Sequence, residues 1–378
     1  MPLSFEIGSI RPPSESNSLL IRCTRSCPWN KCKFCNSYKG QAFEMRTVAD
    51  IKNDIAAAKI MREKIMEITI KAGHSGGMQK VVGMVLKDPP NESFRNVALW
   101  LLGGGENVFL QDANSLVMKT DDLGQVIVCL KTAFPKVKRV TSYARSLSLA
   151  HKKPLELIQL RQAGLSRLHV GLESGYDPVL EYMNKGETAA QHIQGGRQVV
   201  EAGISLSEYV ILGLGGRELS TLHAKHTAKV LNEIDPEFIR MRTLIVNSKV
   251  PLSSDVYIGK FNRASDEEIV HEERIFLENL KVRSNYVSDH ISNLLPELEG
   301  KLPQDKNKLI AILDRFESLS VQERANFMVG RRVGLYKTLS DMDDPQRHEV
   351  VEQIKNKLTK DAKKLDPRVI FSLMEEFM

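Results

Sequence analysis

The sequence predicts an α/β fold built from parallel strand–helix units. Short apolar runs alternate with longer segments whose apolar residues recur at helical spacing. Glycine, proline and capping residues punctuate the two kinds of segment. This alternation repeats six times before about Pro251 and then stops. Strands joined through helices pair in parallel, because the crossover returns each new strand in the same direction. Six units are too few for a closed eight-unit barrel.

Each element follows from local signals. Leu19-Leu20-Ile21 is the first strand, and Pro28 and Asn30 mark the loop after it. Residues 47–71 form a helix, with Ile51, Ile55, Ala58, Met61 and Ile65 on one face. Residues 73–106 hold His74-Ser-Gly-Gly, Pro89-Pro90 and Gly103-Gly104-Gly105 and read as an insertion or a long helical crossover. Residues 108–110 form the second strand and 123–134 a helix. Residues 139–143 are the third strand, and the 154–163 helix is closed by Gly164. Residues 167–172 are the fourth strand. Asp177-Pro178 opens a short helix to Lys185, and Thr188 caps another to Ala202-Gly203. Residues 207–214 are the fifth strand, 220–234 a helix and 238–246 the sixth strand. Beyond them, 266–282, 289–298, 304–317 and 344–360 read as helices.

Composition bounds the class. A chain of 378 residues, 42% hydrophobic and 26% charged, accommodates one large domain with an extension. The net charge of +6 contains no block of like charges, so nucleic-acid binding is permitted but not signalled. The first residues show no charged segment leading into an apolar core, and no apolar run reaches the length of a membrane span; neither a signal peptide nor a membrane partner is expected. Five cysteines with three clustered make no disulfide framework, which fits a reducing cytoplasm.

The stretch Cys27-Pro-Trp-Asn-Lys-Cys32-Lys-Phe-Cys35 carries the chemistry. Three thiolates in one loop repel unless a metal takes them, and soft thiolates select zinc or iron–sulfur clusters. A structural zinc site wants four closed ligands. Cys23 could be the fourth, yet it sits on the strand side, and no second CxxC or HxxxH pair follows. Three cysteines on a [4Fe–4S] cube leave one iron open to a ligand. A zinc-stapled loop remains the alternative.

The strand, the three-cysteine loop and the aromatic Phe34 before the last cysteine together resemble the radical S-adenosylmethionine (SAM) superfamily. The usual spacing there is three residues and then two, whereas Cys27, Cys32 and Cys35 are spaced by four and then two. Cys23 and Cys27 have the three-residue spacing, but Asn30 then stands where a cysteine is required. The resemblance implies a partial (β/α)6 TIM-like barrel over residues 1–250 and a mostly helical C-terminal extension over 251–378 that serves as a substrate lid. It implies an oxygen-sensitive [4Fe–4S] cluster on Cys27, Cys32 and Cys35, with SAM chelating the open iron. An external donor of the flavodoxin or ferredoxin type would supply the electron. Reductive cleavage would give methionine and a 5′-deoxyadenosyl radical, which abstracts hydrogen from a small-molecule or macromolecular substrate.

Further matches sit at strand ends. Asp112 and Asn114 follow the second strand, where the family binds the SAM amino group; an Asx turn is the alternative. Gly103-Gly104-Gly105-Glu106 looks closer to the family motif but precedes its strand. Ser142 and Arg145 at the third strand could reach a ribose or carboxylate, or be a cap and a solvated cation. Gly171-Leu172-Glu173-Ser174-Gly175 closely resembles the family's Glu-Ser-Gly signature. By that likeness Glu173 meets a ribose hydroxyl and Lys185 the methionine carboxylate. Gly213, in the glycine-rich turn after strand five, would lie by the adenine, as would Phe34. Arg240 and Arg242 share a strand face and want an anion or acidic partners.

Other polar features read as structural. Ser288, Asp289, His290 and Asn293 cap a helix or touch substrate. Arg331-Arg332 is a solvated pair or an anion site. His223 and His226 lie at the surface, and Cys129 is buried. No further cysteine cluster and no cobalamin-binding segment is evident. Two other classes remain open: an electron-transfer or sensor protein with four cysteine ligands, and a zinc-stapled nucleic-acid-binding module.

Overall fold

A computed structural model describes residues 3–71, 77–359 and 366–375. Eight strands form one sheet: β1 (Leu19–Arg22), β2 (Asn107–Gln111), β3 (Arg139–Ala144), β4 (Leu165–Glu173), β5 (Ser205–Leu212), β6 (Phe238–Thr243), β7 (Asn285–Val287) and β8 (Gly300–Lys301). They pair in chain order. The β1–β2, β2–β3, β3–β4, β5–β6 and β6–β7 pairs are parallel. β8 runs antiparallel to β7. The six predicted strands are therefore present, and a seventh parallel strand follows them. Asn285–Val287 is too short and too polar to show a period of two, so the sequence carries no trace of alternation beyond Pro251.

The chain divides into two compact units. The first comprises Met1–Asn30, Ser37–Val170 and Gln194–Leu206. Its Val48–Lys71 helix buries the predicted stripe Ile51, Ile55, Ala58, Met61 and Ile65. Such a stripe, repeating every three or four residues, holds a 24-residue helix whose amphipathicity is otherwise weak. The 73–106 stretch contains two helices, Gly77–Lys87 and Glu92–Leu102; His74 lies outside the described residues. Asn91 caps the second, its Oδ1 accepting from Phe94 N–H at 2.9 Å. Trp100 on that helix is buried edge-to-face on Phe134, with centroids 5.0 Å apart. The glycine triplet then turns the chain into β2, with Gly104 and Gly105 at φ +96° and +71°.

The second unit comprises Lys31–Asn36, Gly171–Ile193 and Ser207–Met378. Helices dominate its later part, among them Asp266–Asn279, Lys306–Ser318, Val321–Arg332 and Pro345–Thr359. Segment 289–298, predicted as a helix, is bends and turns. Its polar groups are taken by side chains instead of an i→i−4 ladder. Asn293 Nδ2 donates to Met241 O and Ser288 O, and Arg331 donates to the carbonyls of Asn293 and Leu294. Such side-chain bonds compete with helix formation, and Pro296 has no N–H to give. Arg332 is buried on Asp266 at 2.8 Å, so the arginine pair is structural and not solvated. The helix Val321–Arg332, missed in the sequence, is announced by a capping box of Ser320 and Glu323.

Candidate functional site

The cysteine loop follows β1, and Cys27, Cys32 and Cys35 are half-buried thiols in it. Its first-unit part turns through Ser26 and Asn30, both in the left-handed region at φ +65° and +49°. Asn30 Nδ2 donates to Tyr38 O at 2.5 Å, and Lys39 Nζ to Asn30 O at 2.7 Å, which closes the loop on itself. Its second-unit part is pinned through Lys33. That backbone N–H donates to Met183 O at 2.9 Å, and Leu252 N–H donates to Lys33 O at 2.9 Å. Lys33 Nζ pairs with Asp255 at 2.8 Å and lies 4.2 Å from the Tyr182 ring centre. Phe34 packs against the apolar cluster of Val179, Met183, Leu252 and Phe261.

Cys23 is fully buried, and burial pushes its thiol up to about 12. It stays a neutral thiol, as its place on the strand side suggests. The three loop cysteines have the chemistry of an iron–sulfur donor set. Among the described residues, though, no group of three His, Cys, Asp or Glu side chains is gathered closely enough to hold a metal ion. Cys129, expected to be buried, is half-buried, because its helix turns Val128 outward and buries Leu123, Val126, Ile127 and Leu130 on the other face.

In the first unit the polar strand ends are tightly paired. Asp112 is buried, and Arg22 grips it with Nε at 2.8 Å and Nη2 at 2.6 Å. Arg22 also reaches Glu6 at 2.7 Å. Burial raises the Asp112 carboxyl while Arg22 opposes the shift. The side chain of Gln111 clasps the N-terminal arm: it accepts from Gly8 N–H at 2.8 Å and donates to Gly8 O and Ile10 O at 3.1 and 2.8 Å. Asn114 donates to Ser148 Oγ at 2.7 Å and accepts from Arg145 N–H at 3.3 Å. Ser142 turns its hydroxyl to the carbonyl of Leu110 at 3.1 Å. The Arg145 guanidinium stands over the Trp29 ring of the cysteine loop at 5.3 Å. Glu106, beside the glycine triplet, pairs at the surface with Lys138 at 2.7 Å.

The second unit collects acids around one lysine. Lys185 Nζ lies 3.5 Å from both Glu173 and Glu187. Glu173 sits at φ +62° and folds back over Gly171, where a Cβ would come within 2.1 Å of its carboxylate. Only glycine fits there. Burial raises the Glu173 carboxyl, and Lys185 counteracts it. Glu208 on β5 escaped the sequence reading. It is 0% exposed, and neither carboxylate oxygen has a hydrogen-bond partner. Burial, and then Glu173, push its pKa well above the usual range. A charged residue inside the apolar run of β5 was the available signal.

The remaining predicted positions are committed within this unit. Gly213 takes φ +78° and donates its N–H to Glu272 Oε1 at 2.8 Å. Arg240 and Arg242 meet Asp289 at 3.2 and 3.4 Å, so the acidic partner their shared face requires comes from 289–298. Arg242 also lies over the Tyr209 ring at 4.9 Å. His290 is 2.6 Å from Ser292 Oγ. His226 is exposed and tilted on Tyr176, but His223 is buried, contrary to its expected surface position.

The fold and these residues define a parallel βα protein in which each unit carries polar side chains at its own strand ends. No family model matches the chain. It is similar in fold to radical SAM enzymes of known structure. One is the cobalamin-dependent SAM radical enzyme OxsB, solved with aqua-cobalamin and SAM bound: 13% identity, 95% of this chain, 54% of that chain, TM-score 0.43. Another similar structure is Methanocaldococcus infernus Elp3: 13% identity, 63% of this chain, 62% of that chain, TM-score 0.44. Among curated sequences, an uncharacterised protein of Methanocaldococcus jannaschii is 25% identical over 113 residues, 30% of this chain and 34% of that protein. The chain thus spans about a third of that curated relative. Among the described residues, no helix is long and apolar enough to cross a membrane.

Proposed function

We propose that the chain is a radical SAM enzyme. The observation that carries this reading is the cysteine set: three half-buried thiols in one loop after β1, with Cys23 withdrawn as a buried, neutral thiol. A loop offering three thiolates suits a [4Fe–4S] cluster with an open iron better than a closed four-ligand zinc site. When bound, the cluster supplies the electron that cleaves SAM reductively.

The chain's own residues would bind and orient the cofactor. Lys185 offers a cation for the methionine carboxylate, and Glu173 an acceptor for a ribose hydroxyl. Lys185 is held between two carboxylates, so it is aimed before any ligand arrives and loses little entropy on binding. Asp112 and Asn114 are proposed for the amino end, with Arg22 opposing the rise that burial imposes on the Asp112 carboxyl. Phe34 and Gly213 are proposed for the adenine, and Ser142, Arg145 and Arg242 as polar neighbours. The electron would come from a flavodoxin or ferredoxin type of donor in a reducing cytoplasm, and the C-terminal helices would cover the substrate.

Anaerobic reconstitution with iron and sulfide tests the reading. Wild type and Cys23→Ala should each hold about four irons per chain. Cys27→Ala, Cys32→Ala and Cys35→Ala should each hold almost none. With SAM and a reductant, the first two should release 5′-deoxyadenosine. Stoichiometric zinc without iron, or loss of the cluster in Cys23→Ala, would replace this reading with the zinc-stapled or the four-cysteine one.

A further inference from the structure

His223 lies on the helix Gly216–Ile234 and is 1% exposed. Its Nε2 is 3.1 Å from Ile211 O, and its Nδ1 is 2.8 Å from Ser174 Oγ. A carbonyl oxygen can only accept, so Nε2 carries the hydrogen. Nδ1 is then a lone pair, and the Ser174 hydroxyl must donate to it. The Ser174 oxygen in turn accepts from Tyr176 N–H at 3.1 Å. One tautomer satisfies every group. Burial lowers the His223 pKa to about 4, which keeps that neutral tautomer at ordinary pH.

The same helix turn holds the next residue. Thr227 Oγ1 donates to His223 O at 2.6 Å and accepts from Gly175 N–H at 2.8 Å. Gly175 comes so close that a Cβ would sit 2.6 Å from Thr227 Cα. On the other side, Glu272 accepts from Gly213 N–H and from Ser220 Oγ at 2.8 and 2.5 Å, and stands 3.6 Å from His223 Nε2. The imidazole therefore bridges Ser174, the residue after the strand-end Glu173, and the end of β5, which leads into the glycine turn. Glu173 is held at positive φ between Gly171 and Ser174, a conformation that a non-glycine residue keeps only when its surroundings fix it.

We propose that His223 is a positioning residue that acts through the Ser174 hydroxyl to preset Glu173 for the cofactor. The inference rests on the reading that Glu173 and Lys185 contact SAM. It predicts that the histidine and the serine act as one unit, not as two separate stabilising contacts.

The test uses reconstituted full-length protein and equilibrium dialysis with SAM, alongside iron counts and melting temperatures. His223→Gln can still donate to Ile211 O but leaves Ser174 without its acceptor. His223→Asn places an oxygen near the Nδ1 position. Ser174→Ala and Ser174→Thr remove and restore the hydroxyl. His223→Gln and Ser174→Ala should each weaken SAM binding about five- to tenfold, the size expected for one lost buried hydrogen bond, with iron content unchanged. The double variant should be no weaker than either single one. His223→Asn and Ser174→Thr should stay within about threefold of wild type. In the cluster-free protein, imidazole nitrogen resonances should report a neutral Nε2–H ring whose Nδ1 signal moves in Ser174→Ala. Wild type that fails to bind SAM would overturn the radical SAM reading and this inference with it. Wild type that binds SAM, with Ser174→Ala binding equally well or with additive effects in the double variant, would overturn this inference alone.

Discussion

Two clusters of buried carboxylates, one in each unit, meet their charge differently. In the first, Asp112 is met by two nitrogens of Arg22, and Arg22 is shared with Glu6. There a guanidinium faces one carboxylate oxygen directly. In the second, Glu173 and Glu187 share Lys185, and neither carboxylate oxygen of Glu208 has a hydrogen-bond partner. A balanced buried pair holds structure, and breaking it is costly. An unbalanced cluster must retain a proton or wait for a cation. The first arrangement thus carries its own counter-charge, whereas in the second neither oxygen of Glu208 is hydrogen-bonded.

The sharpest way to break this contrast is Arg22→Ala. It strands the Asp112 carboxylate in a dry site, and removing one partner of a buried pair costs about 3–5 kcal/mol. The denaturant midpoint should fall accordingly, and an unchanged midpoint would mean that Asp112 is not held as a charge. Next comes pH. Burial raises Glu272 and Glu273 to about 7 and about 8, against 4.5 in the unfolded chain. The folded protein keeps those protons after the unfolded chain has released them. Their contribution is therefore full below pH 4.5 and is lost as pH rises through 7 and 8. For Glu272 alone the loss is roughly 3 kcal/mol. Stability measured against pH should fall over that range, and Glu273→Gln should flatten the fall; a flat wild-type profile would contradict it.

Glu208→Gln sharpens the comparison at smaller scale. It removes an acid whose ionisation burial penalises, so above the ordinary carboxylate range it should stabilise by about 1–2 kcal/mol. Destabilisation would show that Glu208 is charged and paired after all. The smallest effect belongs to Glu106→Ala. Its exposed pair with Lys138 is worth less than about 0.5 kcal/mol, and SAM binding should not change. If Glu106→Ala weakens SAM binding and Asp112→Ala does not, the acid after β2 has been wrongly chosen.

Much of the scaffold was legible because periodicity is a local property. The five-residue stripe on Val48–Lys71 and the apolar cores of β1 and β2 can be read within a few turns of chain. Pairing across the fold is another matter. Arg22 and Asp112 are 90 residues apart, and Arg242 and Asp289 are 47 apart, so neither pair leaves a local trace. Segment 289–298 misled because its polar residues resemble a helix start, while the arginines that claim its carbonyls lie near 331. His223 misled in the same way: its neighbours Ala and Lys look superficial, and its partners sit on β5 and beyond β4. The Glu-Ser-Gly signature was visible, but what holds it was not.

The clasp of Gln111 on the N-terminal arm bears on how this protein can drift in sequence. All three of its bonds go to backbone groups of residues 8 and 10. A clasp of that kind does not register which side chains the arm carries. Ser9 and Ile10 can be exchanged among relatives without releasing it. Gly8 cannot, because a Cβ there would lie 2.2 Å from the Asp112 carboxylate. Homologous chains should therefore show a variable arm interrupted by one fixed glycine, and an alanine at that position should appear only where the acid after β2 has been lost as well.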